Sequence, residues 1–194
     1  MQTPDNKLMS ETETTWERFK EVAESITLTA EQEQILRALF AVSPFIGRVA
    51  ESYPEHLLTD FFDDGGTSIC LVDADSYGDR IAESLNQITH DDDAKKCLRR
   101  LRHCWMAKLA AADILQQVSL KESLHHYSTF ADAAINKSLQ WLFERFVQRH
   151  GKPLDANDQL MPMLVIGMGK LGGKELNFSS DIDLIFAFPE QGET

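Results

Sequence analysis

Residues 163–188, MLVIGMGKLGGKELNFSSDIDLIFAF, determine how the rest of the chain is interpreted. Gly167, Gly169 and Gly172 match the pattern G-x-G-x-x-G directly after an apolar run, which is typical of a dinucleotide-binding turn. That fold also needs a helix of several turns after the third glycine and an acidic residue about 20 residues further on. Only eight residues separate Gly172 from the first acidic residue of the next strand-like run, Asp181. The spacing therefore excludes a dehydrogenase site.

The same stretch predicts a different phosphate chemistry. It is not a P-loop, because Leu171 follows Lys170 where a magnesium-binding hydroxyl is required. In a strand over DIDLIFAF, Asp181 and Asp183 would point to one face, about 6 to 7 Å apart, and could share Mg²⁺ or Mn²⁺. A D-x-D pair alone is usually an exposed strand edge, but a glycine turn at this spacing favours metal-dependent nucleotidyl transfer. We therefore predict Asp181 and Asp183 to be metal ligands and catalytic residues.

The lysines of this segment leave two interpretations open. Lys170 and Lys174 could each hold a phosphate group, or each could simply be solvated in a polar loop.

The segment GMGKLGGKELNFSSDIDLIF resembles the signature of the glutamine synthetase adenylyltransferase and adenylyl-removing enzymes, members of the DNA polymerase beta-like nucleotidyltransferase superfamily. Two upstream stretches, LRRLRHCWMAKLAAADILQQ and WLFERFVQRHGKP, are more loosely similar to the same family. The resemblance implies two transferase domains in a chain about five times this length. It also implies that the domain nearer the N-terminus removes AMP from a tyrosine of glutamine synthetase by phosphorolysis, releasing ADP. By its position, this chain is expected to contain the start of the removing domain.

The resemblance also implies roles for particular residues. Asp181 and Asp183 would be the metal ligands, with Mg²⁺ or Mn²⁺ as cofactor. The nucleotide, ADP or ATP, or phosphate would lie against the turn formed by Gly167, Gly169, Lys170, Gly172, Gly173 and Ser180. The superfamily uses a third carboxylate on a later strand, so the chain alone is expected not to catalyse. Expected partners are glutamine synthetase and a PII-type signalling protein, and the alternative function is a helical docking module for either.

Composition restricts the class of protein. The 194 residues are 43% hydrophobic and carry a formal net charge of −12, which suits a globular protein and disfavours nucleic acid as a partner. The three cysteines have no C-x-x-C pair, and no signal peptide or long apolar run is present. We expect a cytoplasmic protein with no membrane segment.

The hydrophobic pattern predicts an α+β chain in which a mostly helical region precedes a few strands, and the resemblance assigns these strands to the start of a polymerase beta-like nucleotidyltransferase domain. The predicted divisions are an N-terminal tail and short helix (1–28), a helical region (29–151), a linker (152–162) and an incomplete transferase domain (163–194). Thr29 and Gln32 have capping-box spacing, Pro44 and Pro54 should bend or divide the next helical stretch, and Gly151 should end the last helix. Residues 63–79 are predicted to form a loop.

Two long helices are predicted in this region, each with one buried face. The acidic residues 91–93 are predicted to cap the N-terminus of the first, and the second is predicted to start at Ser119, which has capping-box spacing with Glu122. The predicted faces are Leu98, Leu101, Trp105, Leu109, Ala112 and Leu115 on the first, and Leu120, Leu124, Tyr127, Ala131, Ala134, Leu142, Phe146 and Val147 on the second.

Other reactive residues have plainer interpretations. Cys97 and Cys104 are expected to be buried small residues and not metal ligands, since no second ligand pair has suitable spacing. The basic cluster Arg99, Arg100 and Arg102 is expected to pair with carboxylates, with a phosphate or regulator site as the alternative. His125 and His126 are expected to face solvent.

Overall fold

The computed structural model describes residues 4–63, 66–155 and 157–188, with side chains from residue 11 onward. The fold class is α+β, as predicted: long helices precede a small sheet. The helices are α1 (Pro4–Val22), α2 (Ala30–Val42), α3 (Pro44–Ser52), α4 (Pro54–Leu58), α5 (Tyr77–Leu85), α6 (Asp91–Ile114), α7 (Leu120–His150) and α8 (Gly169–Gly172). The strands are β1 (Leu164–Gly167) and β2 (Leu184–Ala187), and a 3-10 turn covers Ala74–Ser76. None of the helices in the described part of the chain is both long and apolar enough to cross a membrane.

The chain forms two compact units. The first comprises Met1–Val72 and Lys95–Leu120, and the second comprises Asp73–Ala94 and Lys121–Thr194. The domain boundaries predicted from the sequence stay predictions.

The capping and proline signals of the first unit are confirmed. Thr29 Oγ1 accepts a hydrogen bond from the Gln32 amide at 3.2 Å, and Gln32 Oε1 accepts one from the Thr29 amide at 3.1 Å. Pro44 and Pro54 each stand at the first turn of a new helix, where the missing N–H costs nothing. The capping box and the prolines therefore fix where α2, α3 and α4 begin.

Aromatic rings form the core of the first unit. Trp16 and Phe19 of α1 pack against Phe40 of α2, with ring centroids 5.3 to 5.9 Å apart, and all three are buried. Large apolar residues from α2, α3, α4 and the turn after α4 complete this core: Leu36, Leu39, Ile46, Leu57 and Phe61. The 19-residue α1 is longer than the short helix predicted, because its two aromatic side chains are anchored in the core.

Helix α6 begins at the acidic triplet as predicted, but its buried face differs from the predicted one. The buried positions are Ala94, Cys97, Cys104, Ala107, Lys108, Leu109, Ala111 and Ala112. Leu98, Leu101, Trp105 and Leu115 are only half-buried. The buried face of α6 thus consists mostly of small side chains, and of the six residues predicted for it only Leu109 and Ala112 are buried.

In the second unit, α7 starts directly after Ser119 and ends where predicted. Gly151 has φ of +90°, a left-handed conformation that favours glycine and stops the helix. The predicted apolar stripe is only partly buried: Tyr127 and Ala131 are in the core, whereas Leu120, Leu142 and Phe146 are exposed. The predicted loop over residues 63–79 is also too long, since α5 begins at Tyr77.

The two strands form an antiparallel hairpin, which positions the candidate site. Leu164 pairs with Ala187 and Gly167 pairs with Leu184. Strand β2 therefore begins three residues later than the pattern DIDLIFAF predicted, and Asp181 and Asp183 both precede it instead of lying within it. A dinucleotide-binding unit needs parallel strands joined by a long helix, so the hairpin confirms that a dehydrogenase fold is excluded.

Candidate functional site

The glycine-rich turn is a single helical turn, α8, placed between β1 and the segment that leads to β2. The amide of Gly172 donates to the Met168 carbonyl at 3.2 Å, and that of Gly173 donates to the Gly169 carbonyl at 3.0 Å. The amide of Glu175 donates to the Lys170 carbonyl at 2.7 Å. Leu171 is buried beneath the turn with 3% of its surface exposed. These bonds make the turn a closed local unit.

Glycine is needed at Gly169 and Gly172 for different reasons. Gly169 has φ of +54°, and a Cβ built there meets nothing within 4 Å. A Cβ on Gly172 would lie 2.6 Å from the carbonyl oxygen of Gly167, which is too close for any side chain. A side chain at Gly172 is thus excluded by contact with the chain's own backbone. At Gly169 the space for a side chain is open, and glycine is favoured there by the positive φ.

Asp181 and Asp183 lie at the same end of the hairpin as the turn. The amide of Met168, the residue before α8, donates to the carbonyl of Asp183 at 2.9 Å. This bond extends the β1–β2 ladder by one step past the Gly167–Leu184 pair. Both aspartate side chains are exposed. The backbone therefore holds the glycine turn beside the acidic pair, with both carboxylates open to solvent.

Ser180 ties the turn to the residues before the acidic pair. Its hydroxyl donates to Asn177 Oδ1 at 2.5 Å and accepts from the Asn177 amide at 3.3 Å and from Lys170 Nζ at 3.4 Å. A hydroxyl has one donor and two acceptor positions, so these three contacts use its full capacity. In this conformation Ser180 shapes the loop, and a phosphate contact from its hydroxyl would have to replace one of these bonds.

The two lysines of the segment differ. Lys174 pairs with Asp132 of α7, within the second unit, which favours a structural role for its ammonium group. Lys170 is exposed and donates to Ser180, which leaves two of its three N–H donors for another acceptor. Lys170 is therefore the better candidate for a phosphate contact.

Residues 174–178, here called the anchor segment, are held on α7 by contacts that the sequence analysis missed. The Leu176 amide donates to Ser128 Oγ at 3.1 Å, and both residues are buried. The rings of Phe178 and Tyr127 meet edge to face, 6.3 Å apart. A signal was present in the sequence: Ser128 lies on the same helix face as Leu124 and Ala131, where a small polar residue is unusual.

The acidic pair supplies the donor chemistry that a hard divalent cation requires. Asp181 and Asp183 offer carboxylate oxygens, which Mg²⁺ and Mn²⁺ prefer. Mg²⁺ commonly takes only one or two carboxylates from a protein and completes its shell with water and phosphate oxygens. In the part of the chain that the structure describes, no group of three or more His, Cys, Asp or Glu side chains is placed to bind a metal. The pair thus fits a cation whose other ligands come from water and a bound phosphate.

The remaining candidates lie in other surroundings. Cys97 and Cys104 are buried, as predicted, and burial raises the pKa of Cys104 to about 11. In the first unit the His103 ring packs against Phe45 and Tyr53. Burial first, and then the charges of the neighbouring arginines, lower the pKa of His103. The roles of Arg99, Arg100 and Arg102 stay predictions.

Both His125 and His126 were predicted to face solvent. The prediction is confirmed for His125 and wrong for His126. It is half-buried, its Nδ1 lies 3.0 Å from the Tyr77 hydroxyl, and burial is the main cause that lowers its pKa.

Comparison with known proteins supplies the family context. The sequence profile of the family described as glutamate-ammonia ligase adenylyltransferase matches residues 33–194. A protein of Idiomarina loihiensis, named bifunctional glutamine synthetase adenylyltransferase/adenylyl-removing enzyme, is 91% identical over 194 residues, covering 100% of this chain and 20% of that relative. A Shewanella oneidensis protein of the same name is 40% identical over 181 residues, covering 92% of this chain and 19% of the relative. The chain spans about a fifth of the length of the curated relatives it matches.

Proposed function

The chain belongs to the glutamate-ammonia ligase adenylyltransferase family, and we propose that it contributes part of the site that removes AMP from adenylylated glutamine synthetase. The relatives are named for both attachment and removal of an adenylyl group. The choice of removal rests on the family resemblance of the glycine-turn segment, which implies that the transferase domain nearer the N-terminus catalyses it.

One observation carries the proposal: the hydrogen bond from the Met168 amide to the Asp183 carbonyl. It fixes the glycine turn and the acidic pair at one end of one hairpin. A nucleotidyl-transfer site needs these two parts side by side, since the turn receives phosphate groups and the carboxylates hold the cation.

In the proposed reaction, an oxygen of inorganic phosphate attacks the phosphorus of the tyrosine-bound AMP. A P–O bond forms to the phosphate, the P–O bond to the tyrosine breaks, ADP leaves, and the tyrosine oxygen takes up the proton that the phosphate carried. A bound Mg²⁺ or Mn²⁺ would supply charge stabilisation at the reacting phosphate groups. Asp181 and Asp183 would hold that cation, and the two remaining N–H donors of Lys170 would orient a phosphate oxygen.

The proposal is tested in a full-length hybrid, in which this chain replaces the matching segment of the Idiomarina loihiensis relative. Asp183→Asn keeps the size of the side chain but removes one ligand charge. Phosphate-dependent ADP release from adenylylated glutamine synthetase should fall about 100-fold or more, while attachment of AMP persists. Both reactions are measured with Mg²⁺ and with Mn²⁺.

The matched control is Asp158→Asn, which makes the same change at an exposed residue with φ of +58°, where asparagine is well tolerated. This control should keep both activities. Normal ADP release by Asp183→Asn would overturn the metal-ligand assignment. Loss of attachment with removal intact would assign the site to the opposite reaction. The PII-type partner stays a prediction.

A further inference from the structure

Helix α7 holds the anchor segment at successive positions along one face. Asp132 pairs with Lys174, Ser128 accepts from the Leu176 amide, and Tyr127 meets Phe178. These contacts pass from Asp132 to Tyr127 along α7 as the anchor segment passes from Lys174 to Phe178. The anchor segment therefore runs along α7 in the opposite direction.

Ser128 is the best-defined of these contacts. It is fully buried, with 0% of its surface exposed, and Leu176 is 7% exposed. Serine in a helix interior is less favourable than alanine, so its presence in the core of a 31-residue helix calls for a partner. That partner is the Leu176 amide. Without the hydroxyl, a backbone N–H would be left unpaired where water has little access.

The Lys174–Asp132 pair contributes less to holding the segment. The side chain of Lys174 is 61% exposed, and solvent screens the attraction of such a pair strongly. The buried hydrogen bond is thus the contact that determines where the backbone of the anchor segment lies.

The position of the Leu176 backbone affects that of the acidic pair through a short series of hydrogen bonds. Asn177 comes directly after Leu176, and its amide donates to the Ser180 hydroxyl, which in turn donates to Asn177 Oδ1. Asp181 comes next, and the Asp183 carbonyl is fixed by the Met168 amide. A displacement at Leu176 would therefore reach both carboxylates within seven residues.

We propose that Ser128 is a positioning residue of the nucleotidyl-transfer site, fixing the backbone at Leu176 and thereby the placement of Asp181 and Asp183. The proposal rests on the proposed function in so far as it concerns catalysis. It makes α7 a structural part of the site, although the sequence separates that helix from the acidic pair by about 30 residues.

The first test is hydrogen exchange on the 194-residue chain. Ser128→Ala should lower the protection of the Leu176 amide about tenfold or more, and should also lower that of the Met168 amide, which donates to Asp183. The control is Ser123→Ala, which removes another buried hydroxyl from α7, five residues earlier. If Ser128→Ala leaves the Met168 amide as protected as Ser123→Ala does, Ser128 does not position the acidic pair, whatever reaction the site performs.

The second test is kinetic and uses the full-length hybrid. Ser128→Ala should lower kcat for AMP removal about tenfold, while KM for adenylylated glutamine synthetase changes less than about twofold, because misplaced ligands impair the chemical step and not docking. Ser123→Ala should keep kcat within about twofold at a comparable loss of Tm. Equal kcat losses in the two variants would overturn the positioning role. Absence of AMP removal in the unmodified hybrid would instead refute the proposed function, and hydrogen exchange would still decide the role of Ser128.

Discussion

Replacing Gly172 by alanine should open the glycine turn, because the new Cβ would lie 2.6 Å from the Gly167 carbonyl oxygen. Non-bonded carbon and oxygen atoms approach each other to about 3.3 Å, so the backbone must move by about 0.7 Å. Both atoms belong to positions fixed by the backbone, and no side-chain rotation can relieve the contact. Gly167 also pairs with Leu184, so the movement reaches the end of the hairpin.

Two opposing effects set the size of the change. Alanine is favoured over glycine in a helical turn by about 0.5–1 kcal/mol. Overpacking that forces the backbone to shift costs about 1–3 kcal/mol. The cost of the steric clash should exceed the helical gain. Since about 1.4 kcal/mol corresponds to a factor of ten, the clash alone should make the turn open about 5- to 150-fold more often, and the helical gain reduces this factor.

Two neighbouring glycines provide matched controls. Gly173 has φ of −80°, and a Cβ there would meet its nearest atom at 3.5 Å, so Gly173→Ala should be neutral or slightly stabilising. At Gly169 the space is open but φ is +54°, so alanine should cost about 1–2 kcal/mol for conformation alone. The three substitutions separate steric from conformational requirements in one turn.

The assay is native-state hydrogen exchange of the amides that close the turn, those of Gly173 and Glu175. Gly172→Ala should lower the protection of the Glu175 amide most, Gly169→Ala less, and Gly173→Ala least. Full protection in Gly172→Ala, or a larger loss in Gly173→Ala, would refute the steric argument.

Three further predictions concern stability and reactivity. Lys108→Ala should lower the free energy of unfolding by about 2–5 kcal/mol in urea titrations, whereas Lys108→Met should cost less, because methionine keeps the buried stem of a side chain that is 4% exposed. Burial raises the pKa of Cys104 to about 11, so this thiol ionises in the unfolded chain first and Tm should fall as pH rises from about 9 to 11. At pH 8, iodoacetamide should label the half-buried Cys70 before the buried Cys104. Burial lowers the pKa of His126, so the unfolded chain takes up the proton first and Tm should fall as pH drops below about 6.5, less so in His126→Gln.

Features encoded within a few residues were predictable from the sequence. The capping box of Thr29 and Gln32, the helix starts at Pro44 and Pro54, and the helix end at Gly151 all depend on local backbone bonds or conformation. The exclusion of a dehydrogenase also came from spacing alone, since no long helix fits between Gly172 and Asp181.

Which face of a long helix is buried was less predictable. A pattern of apolar residues at spacings of three and four often supports two overlapping faces, as it does on α6, where Trp105 was predicted to be buried and is half-buried. The structure buries Cys97 and Cys104, as predicted, together with several alanines of α6, so the buried face consists largely of small side chains. The hydrophobicity and volume of a side chain can be read from the sequence, but the neighbour against which it packs cannot.

The sequence by itself determined the fold class, the helix limits set by the capping box, the two prolines and Gly151, and the spacing between the glycine turn and the acidic pair, because each depends on residues close together in the chain. Only the tertiary structure decided that Ser128 meets Leu176 and that Lys108 donates to the Asp60 carbonyl, two hydrogen bonds that each join residues 48 positions apart. A buried polar side chain is placed by the partner that satisfies it, and the identity of a distant partner is set by packing, which no local pattern records.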